Sequence, residues 1–380
     1  MKAAEVVVIG GGVIGSAIAY NLAKAGVDVA LCDRAHPPAG GTASGASAGG
    51  VRQQNRVGAE LDLALRAIAI WRDLESELDA DLLYRRDGMA ICIDDERLLP
   101  ALRRRIDGER AGGLLDVRLA DGDELRRIVP DLSREIVAGS WCESDGHADP
   151  IRTTIGFQRA AGARGARIHP DTPALDVLRA GGRVQAVLTP QGPLPCRTVV
   201  LAAGPWTPAL LKKLGCELPI RPGCLQMQAT AAMPARLRPV LGWVGHGISL
   251  KQVPGGAYVV GGGWPGRGEP ERYQADVIPE SMRKSAAVVV GLIPALVGVP
   301  VVRAWVGWES FSEDDQPVIG ALPGIEGVLI AAGFSGHGFA LAPAVGEQVA
   351  RAVVGGKIPD VLRPVGPDRF AASPAGGAKA

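Results

Sequence analysis

The chain has 380 residues, with 41 Lys and Arg against 40 Asp and Glu, so its formal net charge is +1. This length is enough for two domains with buried cores, and the balanced charge argues against a nucleic-acid-binding protein, which would carry a basic surface. The 52 glycines and 29 prolines, together with only 4% aromatic residues, favour a turn-rich α/β protein over a fibrous or disordered one.

The first 33 residues predict a β-strand, a helix and a second strand. Residues 5–9 predict a strand, in which Glu5 is followed by a continuous apolar run of the kind that is buried on both faces in a parallel sheet. Residues 16–25 are typical of a helix, and residues 28–32 predict a second strand, in which Asp28 is followed by an apolar run. This order is that of a βαβ unit.

The glycines between the first strand and the helix have the spacing of a dinucleotide-binding site. In Gly10-x-Gly12-x-x-Gly15, the first glycine permits a tight turn, the second allows close approach to a pyrophosphate, and the third packs helix against strand. The start of the helix adds unpaired N–H groups and the positive end of its dipole. Asp33 ends the second strand, where a carboxylate can accept hydrogen bonds from ribose hydroxyls. The sequence therefore predicts that a dinucleotide binds here.

Further along the chain, apolar and small-residue patterns predict the remaining elements. They are a small-residue loop at 37–50, an amphipathic helix over 58–78, a peripheral set of elements with solvated faces at 85–135, strands at 198–204 and 327–333, a hairpin region at 242–263, and a helix over 342–354.

Cysteine and charge patterns bear on compartment, metal and membrane. The six cysteines are scattered without a C-x-x-C pair, which argues against a disulfide framework and a zinc site and favours a reducing compartment. The five histidines show no metal-ligand spacing. The uncharged stretches 285–302 and 328–346 contain glycines and prolines that would interrupt a membrane-spanning helix. We expect a cytoplasmic protein with no metal site and no transmembrane segment.

Six sequence blocks, in order along nearly the whole chain, resemble those of the D-amino-acid oxidase/glycine oxidase/sarcosine oxidase family of FAD-dependent amine oxidoreductases. They are VVVIGGGVIGSAIAYNLAKAGVDVALCDR near the start, the TASGASAGGVRQ loop, DGHADP at 145–150, VVLAAGPW at 199–206, SEDDQPVIG at 312–320, and AAGFSGHGFALAPAVGE at 331–347. The likeness extends to the β subunit of sarcosine oxidase and to subunits of opine or hydroxyproline dehydrogenases.

The resemblance implies an α/β (α+β overall) fold, in which a Rossmann-like FAD-binding domain is joined to a discontinuous substrate domain built on an antiparallel sheet. The expected boundaries are 1–83, 145–221 and 312–366 for the FAD-binding domain, 84–144 and 222–311 for the substrate domain, and 367–380 for a mobile tail.

The same resemblance implies where FAD would bind. Its pyrophosphate would lie against the glycine turn, its adenosine near the end of the second strand, and its isoalloxazine ring against the loop at 48–50 and the turn at 333–339. The expected FAD-contacting residues are Gly10, Gly12, Val13, Ile14, Gly15, Asp33, Arg34, Thr42, Ser44, Ala48, Gly49, Gly50, Ala174, Ala203, Gly204, Gly333, Gly336, His337, Gly338 and Phe339. The helix after this turn would stabilise the negative charge of a reduced flavin.

Three positions depart from the family pattern. Glu309 replaces the arginine that grips the substrate carboxylate in the glycine-oxidase branch, and Ala340 replaces a lysine of the sarcosine-oxidase branch. Gly307 replaces the cysteine that tethers the flavin in that branch, so we expect FAD to be bound non-covalently. Arg52 matches a basic residue near the flavin ring and is a candidate carboxylate ligand, although a surface ion pair is the alternative.

The other candidate substrate-orienting residues are His246, Lys251, Glu309 and His337. For Glu309 the functional alternative is contact with a cationic or amino group of the substrate. His246 and Lys251 belong to the domain expected to cover the flavin, where a plain surface position is the alternative. His337 lies in the turn that faces the flavin, where a backbone role is favoured over proton transfer.

The expected reaction is oxidation of the C–N bond of a small amino acid or N-substituted amino acid, by hydride transfer to FAD and hydrolysis of the imine. Candidate substrates are a D-amino acid, a sarcosine-like secondary amine, an opine or hydroxyproline. In the sarcosine-oxidase branch a lysine near the flavin promotes reaction with oxygen, and the resemblance therefore implies that the lack of a lysine just after the glycines at 261–263 favours a dehydrogenase over an oxidase. A partner subunit or electron acceptor in a hetero-oligomer is compatible with this family. The alternatives left open are a nicotinamide-dependent dehydrogenase and a non-catalytic FAD-carrying subunit of an electron-transfer complex.

Overall fold

The computed structural model of the protein describes residues 1–38 and 40–370. Its strands, in chain order, are β1 (Val6–Ile9), β2 (Val29–Cys32), β3 (Gly50–Val51), β4 (Met89–Ile93), β5 (Val117–Asp121), β6 (Ala138–Cys142), β7 (Gly146–His147), β8 (Arg167–His169), β9 (Asp176–Ala180), β10 (Arg183–Thr189), β11 (Gly192–Pro195), β12 (Thr198–Leu201), β13 (Ile220–Ala232), β14 (Val240–Trp243), β15 (Ile248–Gln252), β16 (Ala257–Gly261), β17 (Arg267–Glu269), β18 (Gln274–Asp276), β19 (Val301–Ser312), β20 (Val318–Ala321) and β21 (Val328–Ala332).

The helices connect these strands. In chain order they are α1 (Val13–Lys24), α2 (Ala43–Ala46), α3 (Gly58–Trp71), α4 (Leu74–Leu78), α5 (Leu99–Ala111), α6 (Gly122–Ile128), α7 (Pro150–Ala163), α8 (Thr207–Lys213), α9 (Pro279–Leu292) and α10 (Gly338–Gly355). None of the helices within the described ranges is long and apolar enough to span a bilayer.

A six-stranded sheet contains the predicted βαβ unit. Its order is β20-β21-β12-β1-β2-β8, and all neighbours are parallel except β20 and β21. Because β1 pairs with strands on both sides, its ends lie in the middle of the sheet. A loop that follows β1 is therefore placed at the centre of the sheet edge, where open α/β sheets bind their ligands.

The apolar strands of this sheet are buried on both faces. Val6 and Val8 pack into a core shared with α1, α7 and α10, whereas Val7 and Ile9 pack into a second core on the side of α8 and β9–β11. Alternate side chains of a strand point to opposite faces, so a strand between two cores must be apolar throughout. This burial explains the unbroken apolar runs in the sequence.

The second large sheet has eight strands in the order β19-β13-β16-β15-β14-β4-β6-β5. Its neighbours are antiparallel, with the exception of the parallel pair β14 and β4. The predicted α/β fold with an added antiparallel sheet is confirmed. The predicted domain boundaries stay a proposal.

Two predicted helices differ from the structure. The helix expected over 58–78 is divided into α3 and α4, because the backbone at Asp73 leaves the helical conformation before Leu74 and Leu78 are buried. The Asp73 amide donates to the Ile70 carbonyl, three residues earlier rather than four, at 3.2 Å, and its side chain makes no capping hydrogen bond. The helix expected over 342–354 begins earlier, at Gly338, and includes Pro343.

The predicted tail is only partly described. Residues 367–370 form a short 3₁₀ helix, in which the Arg369 guanidinium pairs with Asp314 at 2.8 Å. Residues 371–380 of the predicted mobile tail lie outside the described residues.

Candidate functional site

A cleft opens where β1, β2 and β12 end, and we call it the glycine cleft. Thirteen of the residues predicted to contact a dinucleotide line this cleft. They are Gly12, Val13, Ile14, Asp33, Arg34, Thr42, Ser44, Ala174, Ala203, Gly204, Gly336, Gly338 and Phe339. The cleft thus brings together residues from the first and the last third of the chain.

Close packing requires two of the glycines beneath the cleft. A Cβ on Gly15 would lie 1.9 Å from the carbonyl oxygen of Gly10, and a Cβ on Gly10 would lie 2.3 Å from that of Ala202. Gly10 also has a φ of +110°, which favours glycine. Neither residue lines the cleft, whereas Gly12 does. Gly10 and Gly15 therefore hold α1 against the sheet so that Gly12 can face a ligand.

Hydrogen bonds fix the polar groups of this cleft. The Asp33 carboxylate accepts from the Gly11 amide at 2.6 Å and from the Ala35 amide at 2.9 Å. The Ser44 hydroxyl accepts from the Val13 amide at 2.8 Å, in the first turn of α1. These bonds join the glycine turn to the end of β2 and to α2, so the shape of the cleft is set by the protein itself.

Arg34 is held at one end of the cleft between two aromatic rings. Its guanidinium carbon lies 3.3 Å from the centre of the Trp206 ring and 3.4 Å from that of Tyr273. The Trp206 indole donates to the carbonyl of Pro270 at 2.9 Å, which ties the β17–β18 hairpin to this end of the cleft. Tyr273 has a φ of +57°, unusual for a residue with a side chain. Burial lowers the pKa of Arg34 from its ordinary value.

A second cavity, of about 870 Å³, adjoins the glycine cleft, and we call it the arginine cavity. Five residues line both spaces: Ala43, Ser47, Glu309, Gly336 and Phe339. The predicted residues Ala48, Gly50, Arg52, Glu309 and His337 also line the arginine cavity. Ala48 and Gly50 come from the small-residue loop, whose shape depends on the left-handed Gly49 between them, where a Cβ would lie 2.1 Å from the carbonyl oxygen of Ala148.

The junction between cleft and cavity is built on β19. The Trp308 amide donates to the Gly41 carbonyl at 2.8 Å, and the Trp305 indole donates to the Ala46 carbonyl at 3.0 Å. On the other side, the Ser310 hydroxyl accepts from the Gly333 amide at 3.0 Å. Gly333 itself lines neither space and anchors the turn that leads to α10. These contacts place Glu309 between the loop and the turn.

His337 links Arg52 to a buried ion pair. Its Nδ1 lies 2.7 Å from Oε1 of Glu60, and its Nε2 lies 3.3 Å from Nη2 of Arg52. Burial, assisted by the charge of Arg56, lowers the pKa of His337 to about 4, so the ring is neutral at pH 7. With Glu60 ionised, Nδ1 carries the proton and donates to it, and Nε2 accepts from Arg52.

Glu60 and Arg56 form the ion pair behind this histidine. Their Oε1 and Nη1 atoms are 2.5 Å apart, and both side chains are nearly inaccessible to solvent. Burial acts to raise the pKa of Glu60, but the hydrogen bond from His337 and the charge of Arg56 lower it below its ordinary value. Burial lowers the pKa of Arg56 to about 9. The i, i+4 spacing of this pair was visible in the sequence, but its burial was not.

Three arginines line the arginine cavity, and their acidic partners lie behind them. The cavity-lining residues are Arg52, Arg56 and Arg105, the last of which comes from α5. The acids Glu60, Glu109 and Asp145 are buried and do not line the cavity. Burial raises the pKa of Glu109 and that of Asp145. The face presented to a ligand is therefore cationic, although the cluster as a whole is balanced.

Arg52 keeps donors for a bound anion. Its Nη1 donates to the Gln54 carbonyl at 3.2 Å and its Nη2 to His337, which uses two of the five N–H groups of a guanidinium. Nε of Arg56 and Nε of Arg105 are buried without a hydrogen-bond partner within the described residues. A carboxylate is the group best matched to such a set of planar donors.

Two predicted substrate-orienting residues lie away from this cavity. His246 stacks on Trp243 with ring centres 3.9 Å apart and lies 3.5 Å from Asp94, outside both spaces. Lys251 is buried in a separate small cavity, where its Nζ lies 3.5 Å from the carbonyl oxygen of Ala148. Burial lowers the pKa of Lys251 to about 8. Ala48 lines both this small cavity and the arginine cavity.

No group of three or more His, Cys, Asp or Glu side chains in residues 1–38 and 40–370 is arranged to hold a metal ion.

Arg56, Glu60 and Arg105 are the site residues that sequence reasoning missed.

The chain is similar to known proteins over most of its length. The family model described as FAD dependent oxidoreductase (DAO) matches residues 5–352. Glycine oxidase of Bacillus licheniformis is 27% identical, over 94% of this chain and 95% of its own length. The hydrogen cyanide synthase subunit HcnC of Pseudomonas protegens is also 27% identical, over 98% of both chains.

Solved structures show the same similarity in three dimensions. The crystal structure of L-proline dehydrogenase from P. horikoshii is 29% identical, with a TM-score of 0.90, covering 97% of this chain and 98% of that one. The structure of glycine oxidase from Bacillus cereus is 25% identical, with a TM-score of 0.84 over 93% of this chain and 96% of that one.

Proposed function

Because the chain belongs to the FAD-dependent oxidoreductase (DAO) family, we propose that it oxidises the C–N bond of a small amino acid or N-substituted amino acid. FAD, when bound, supplies the acceptor for the hydride that leaves the carbon beside nitrogen. The observation that carries this proposal is the cationic wall of the arginine cavity, which adjoins the glycine cleft at five shared residues.

The glycine cleft fits FAD. Beside Gly12, a Cβ would meet only the Ser44 hydroxyl, at 3.1 Å, so the backbone is open to a pyrophosphate. Nη1 of Arg34 is buried without a hydrogen-bond partner in the part of the chain that the structure describes, which leaves it available to a polar group of the coenzyme. Membership of the family makes FAD the cofactor, in place of the nicotinamide alternative that the sequence left open.

We propose that FAD is held non-covalently. Gly307, which takes the place of a tethering cysteine, has no room for a side chain, since a Cβ there would lie 2.4 Å from that of Ala46. Within the described ranges, no cysteine lines the arginine cavity. Cys32 lines the glycine cleft, but burial raises the pKa of its thiol to about 12, so it is a poor nucleophile. Acid precipitation is expected to release all of the flavin into the supernatant.

The stack around Arg34 gives a test of cofactor retention. We expect Tyr273→Ala to increase the dissociation constant for FAD roughly 2- to 30-fold, because the loss of about 0.5–2 kcal/mol of cation–π attraction frees Arg34 at the cleft wall. Tyr273→Phe keeps the ring and should bind FAD as the parent protein does. Arg272→Ala, which removes an exposed pair with Glu269, is the matched control. The measurement is the recovery of flavin fluorescence on dilution; equal release from all four proteins would contradict the prediction.

The substrate is proposed to be anchored through its carboxylate. Arg52 has unused donors facing the arginine cavity and is held in place by His337, which Glu60 keeps in the tautomer that accepts from Arg52. The carboxylate then fixes the substrate so that the carbon beside nitrogen faces the junction with the glycine cleft. Relatives named glycine oxidase and L-proline dehydrogenase support an amino-acid substrate.

The decisive experiment is anaerobic bleaching of the bound flavin. D-amino acids, N-methyl amino acids, L-proline, hydroxyproline and opines are added in turn, and each is paired with the amine that lacks its carboxylate. We expect at least one carboxylated amine to bleach the flavin at 450 nm. Its decarboxylated partner should require a roughly 100-fold higher concentration for the same bleaching, because it lacks one charge-assisted pair with the protein. A flavin that no carboxylated amine reduces would exclude the proposal and favour a non-catalytic FAD-carrying subunit.

A partner subunit is part of the proposal. One relative, whose alignment covers 98% of this chain and 98% of its own, is named as a subunit of hydrogen cyanide synthase. This name supports assembly with a second polypeptide or an external electron acceptor. All six cysteines are free thiols, and this supports the proposed cytoplasmic location.

A further inference from the structure

Glu309 is the one acidic residue that lines the arginine cavity, within residues 1–38 and 40–370. It also lines the glycine cleft and so lies at the junction of the two spaces. On β19 it pairs with Gly223 of β13, over which the Phe311 ring packs, since a Cβ on Gly223 would lie 2.8 Å from that ring. Its position is therefore within reach of a ligand in either space.

The carboxylate of Glu309 is held by backbone amides rather than by cations. The Ser310 amide donates to its Oε1 at 2.8 Å, and the Gly336 amide also donates to the carboxylate. No ion pair in the described part of the chain includes Glu309. In contrast, the buried acids Glu60 and Glu109 each have an arginine within 4 Å.

The charged groups around Glu309 lie on two sides. Arg52, Arg56, Arg105 and His337 line the arginine cavity. On the side of the glycine cleft, the charged lining residues are Asp33, Arg34 and Lys213. Burial raises the pKa of Glu309 to about 7, and the two backbone amides oppose this rise; no charged side chain contributes to it. Both protonation states are thus accessible near neutral pH.

This arrangement matches an amino acid, which carries an anion and a cation on neighbouring atoms. We propose that Glu309 binds the substrate's amino group and takes one proton from its ammonium form, while the arginines hold the carboxylate. The inference rests on the proposed function and assigns a catalytic residue to it. An unpaired carboxylate at the junction otherwise has no cation to offset its burial.

The protons and electrons of this proposed step balance in the following way. The N–H bond of the ammonium breaks, its proton passes to a carboxylate oxygen of Glu309, and the electron pair stays on nitrogen. That pair would then form the C=N bond as the neighbouring C–H bond breaks, and FAD, when bound, would accept the hydride with its two electrons. The products are a protonated imine and a neutral carboxylic acid at Glu309, which returns its proton to solvent.

The test is the pH dependence of the anaerobic flavin-reduction rate. For the parent protein we expect the rate to rise with pH through about 7, because Glu309 acts only as the carboxylate and is protonated below that value. We call this rise the limb of the pH profile. In Glu309→Gln we expect the limb to disappear and the rate at pH 7 to fall about 100-fold. Activity should return only at high pH, where the amine of the substrate deprotonates by itself. Glu309→Asp should retain the limb at a reduced rate.

Two controls separate this role from a structural one. Lys251→Met removes the other buried group that titrates near this pH and should leave the limb unchanged, since Lys251 lies outside the arginine cavity. Binding of a carboxylate without an amine, such as acetate, followed by the flavin spectrum, should be as tight in Glu309→Gln as in the parent protein.

The outcomes are distinguishable. A parent protein that no amino acid reduces would overturn the proposed function itself. A parent protein that is reduced without a limb near pH 7, or a Glu309→Gln variant that keeps the limb, would overturn the role of Glu309 alone. If Glu309→Gln fails to retain flavin, Glu309→Asp and the parent profile decide the question.

Discussion

Replacing Gly15 with alanine is expected to abolish retention of FAD. The added Cβ would lie 1.9 Å from the Gly10 carbonyl oxygen, which is fixed backbone, so α1 must move away from β1. Overpacking of this kind costs about 1–3 kcal/mol in stability, and here the displaced helix start also carries the amides that we propose face the pyrophosphate. We expect colourless protein, measured by the ratio of absorbance at 450 and 280 nm, with a lowered melting temperature.

Gly162→Ala is the matched control for this change. Gly162 lies in α7, in the same part of the fold, and a Cβ there would have no atom within 4 Å. Because alanine favours helices over glycine by about 1 kcal/mol, this variant should bind FAD normally and melt no lower than the parent protein. A yellow Gly15→Ala protein with an unchanged melting temperature would show that the helix start is not tightly held.

Replacing Arg52 with alanine is expected to lower the second-order rate of flavin reduction by roughly 100- to 1,000-fold. The change would remove the two charge-assisted hydrogen bonds that we propose Arg52 makes to the substrate carboxylate, together worth about 3–4 kcal/mol. Arg52→Lys keeps the charge but loses the planar pair of donors, so an intermediate loss is expected. The concentration of substrate that half-bleaches the flavin should rise in the same order.

The control for Arg52 is Arg103→Ala, an exposed arginine on α5 that does not line the cavity. It should leave reduction unchanged. Flavin content is measured in parallel, because Arg52 also donates to His337 beside the turn that begins α10. If Arg52→Ala retains flavin and the parent's half-bleaching concentration, the carboxylate is bound elsewhere in the cavity.

The parts of the fold that sequence reasoning predicted well depend on local patterns. The first strand is apolar throughout because both of its faces are buried, and the spacing of Gly15 from Gly10 reflects a contact five residues apart, although Gly10 is also required by the distant Ala202 carbonyl. Asp33 likewise follows directly from the end of a strand. Such features can be identified because their pattern lies within a short stretch of the sequence.

The missed residues depend on contacts between distant elements. Arg105 lies in an arginine-rich stretch that is typical of a solvated helix face, and only the packing of α5 over the arginine cavity shows its position. Arg56 and Glu60 resemble an exposed i, i+4 pair in the sequence, yet both are buried. The sequence contains no local signal that separates a buried pair of this kind from an exposed one.

Lys251 illustrates the limit set by strand geometry. Residues 249 and 251 share one face of β15, as alternate residues of a strand do. Ser249 lines the arginine cavity, whereas Lys251 lies farther along the strand in the smaller cavity. Sequence reasoning placed Lys251 in the correct part of the fold but could not determine how far along the strand the cavity extends.

The contribution of the turn at 333–339 to both spaces also bears on the order of events during synthesis. Val13 and Phe339 line the same cleft, so a ribosome-bound chain that has not yet released the turn at 333–339 lacks one wall of the proposed coenzyme site. The second edge of β1 is paired only when β12 follows, about 190 residues later. We therefore expect the coenzyme to stabilise only a polypeptide that already includes this turn, and a chain truncated before it to gain no protection from the coenzyme against proteolysis.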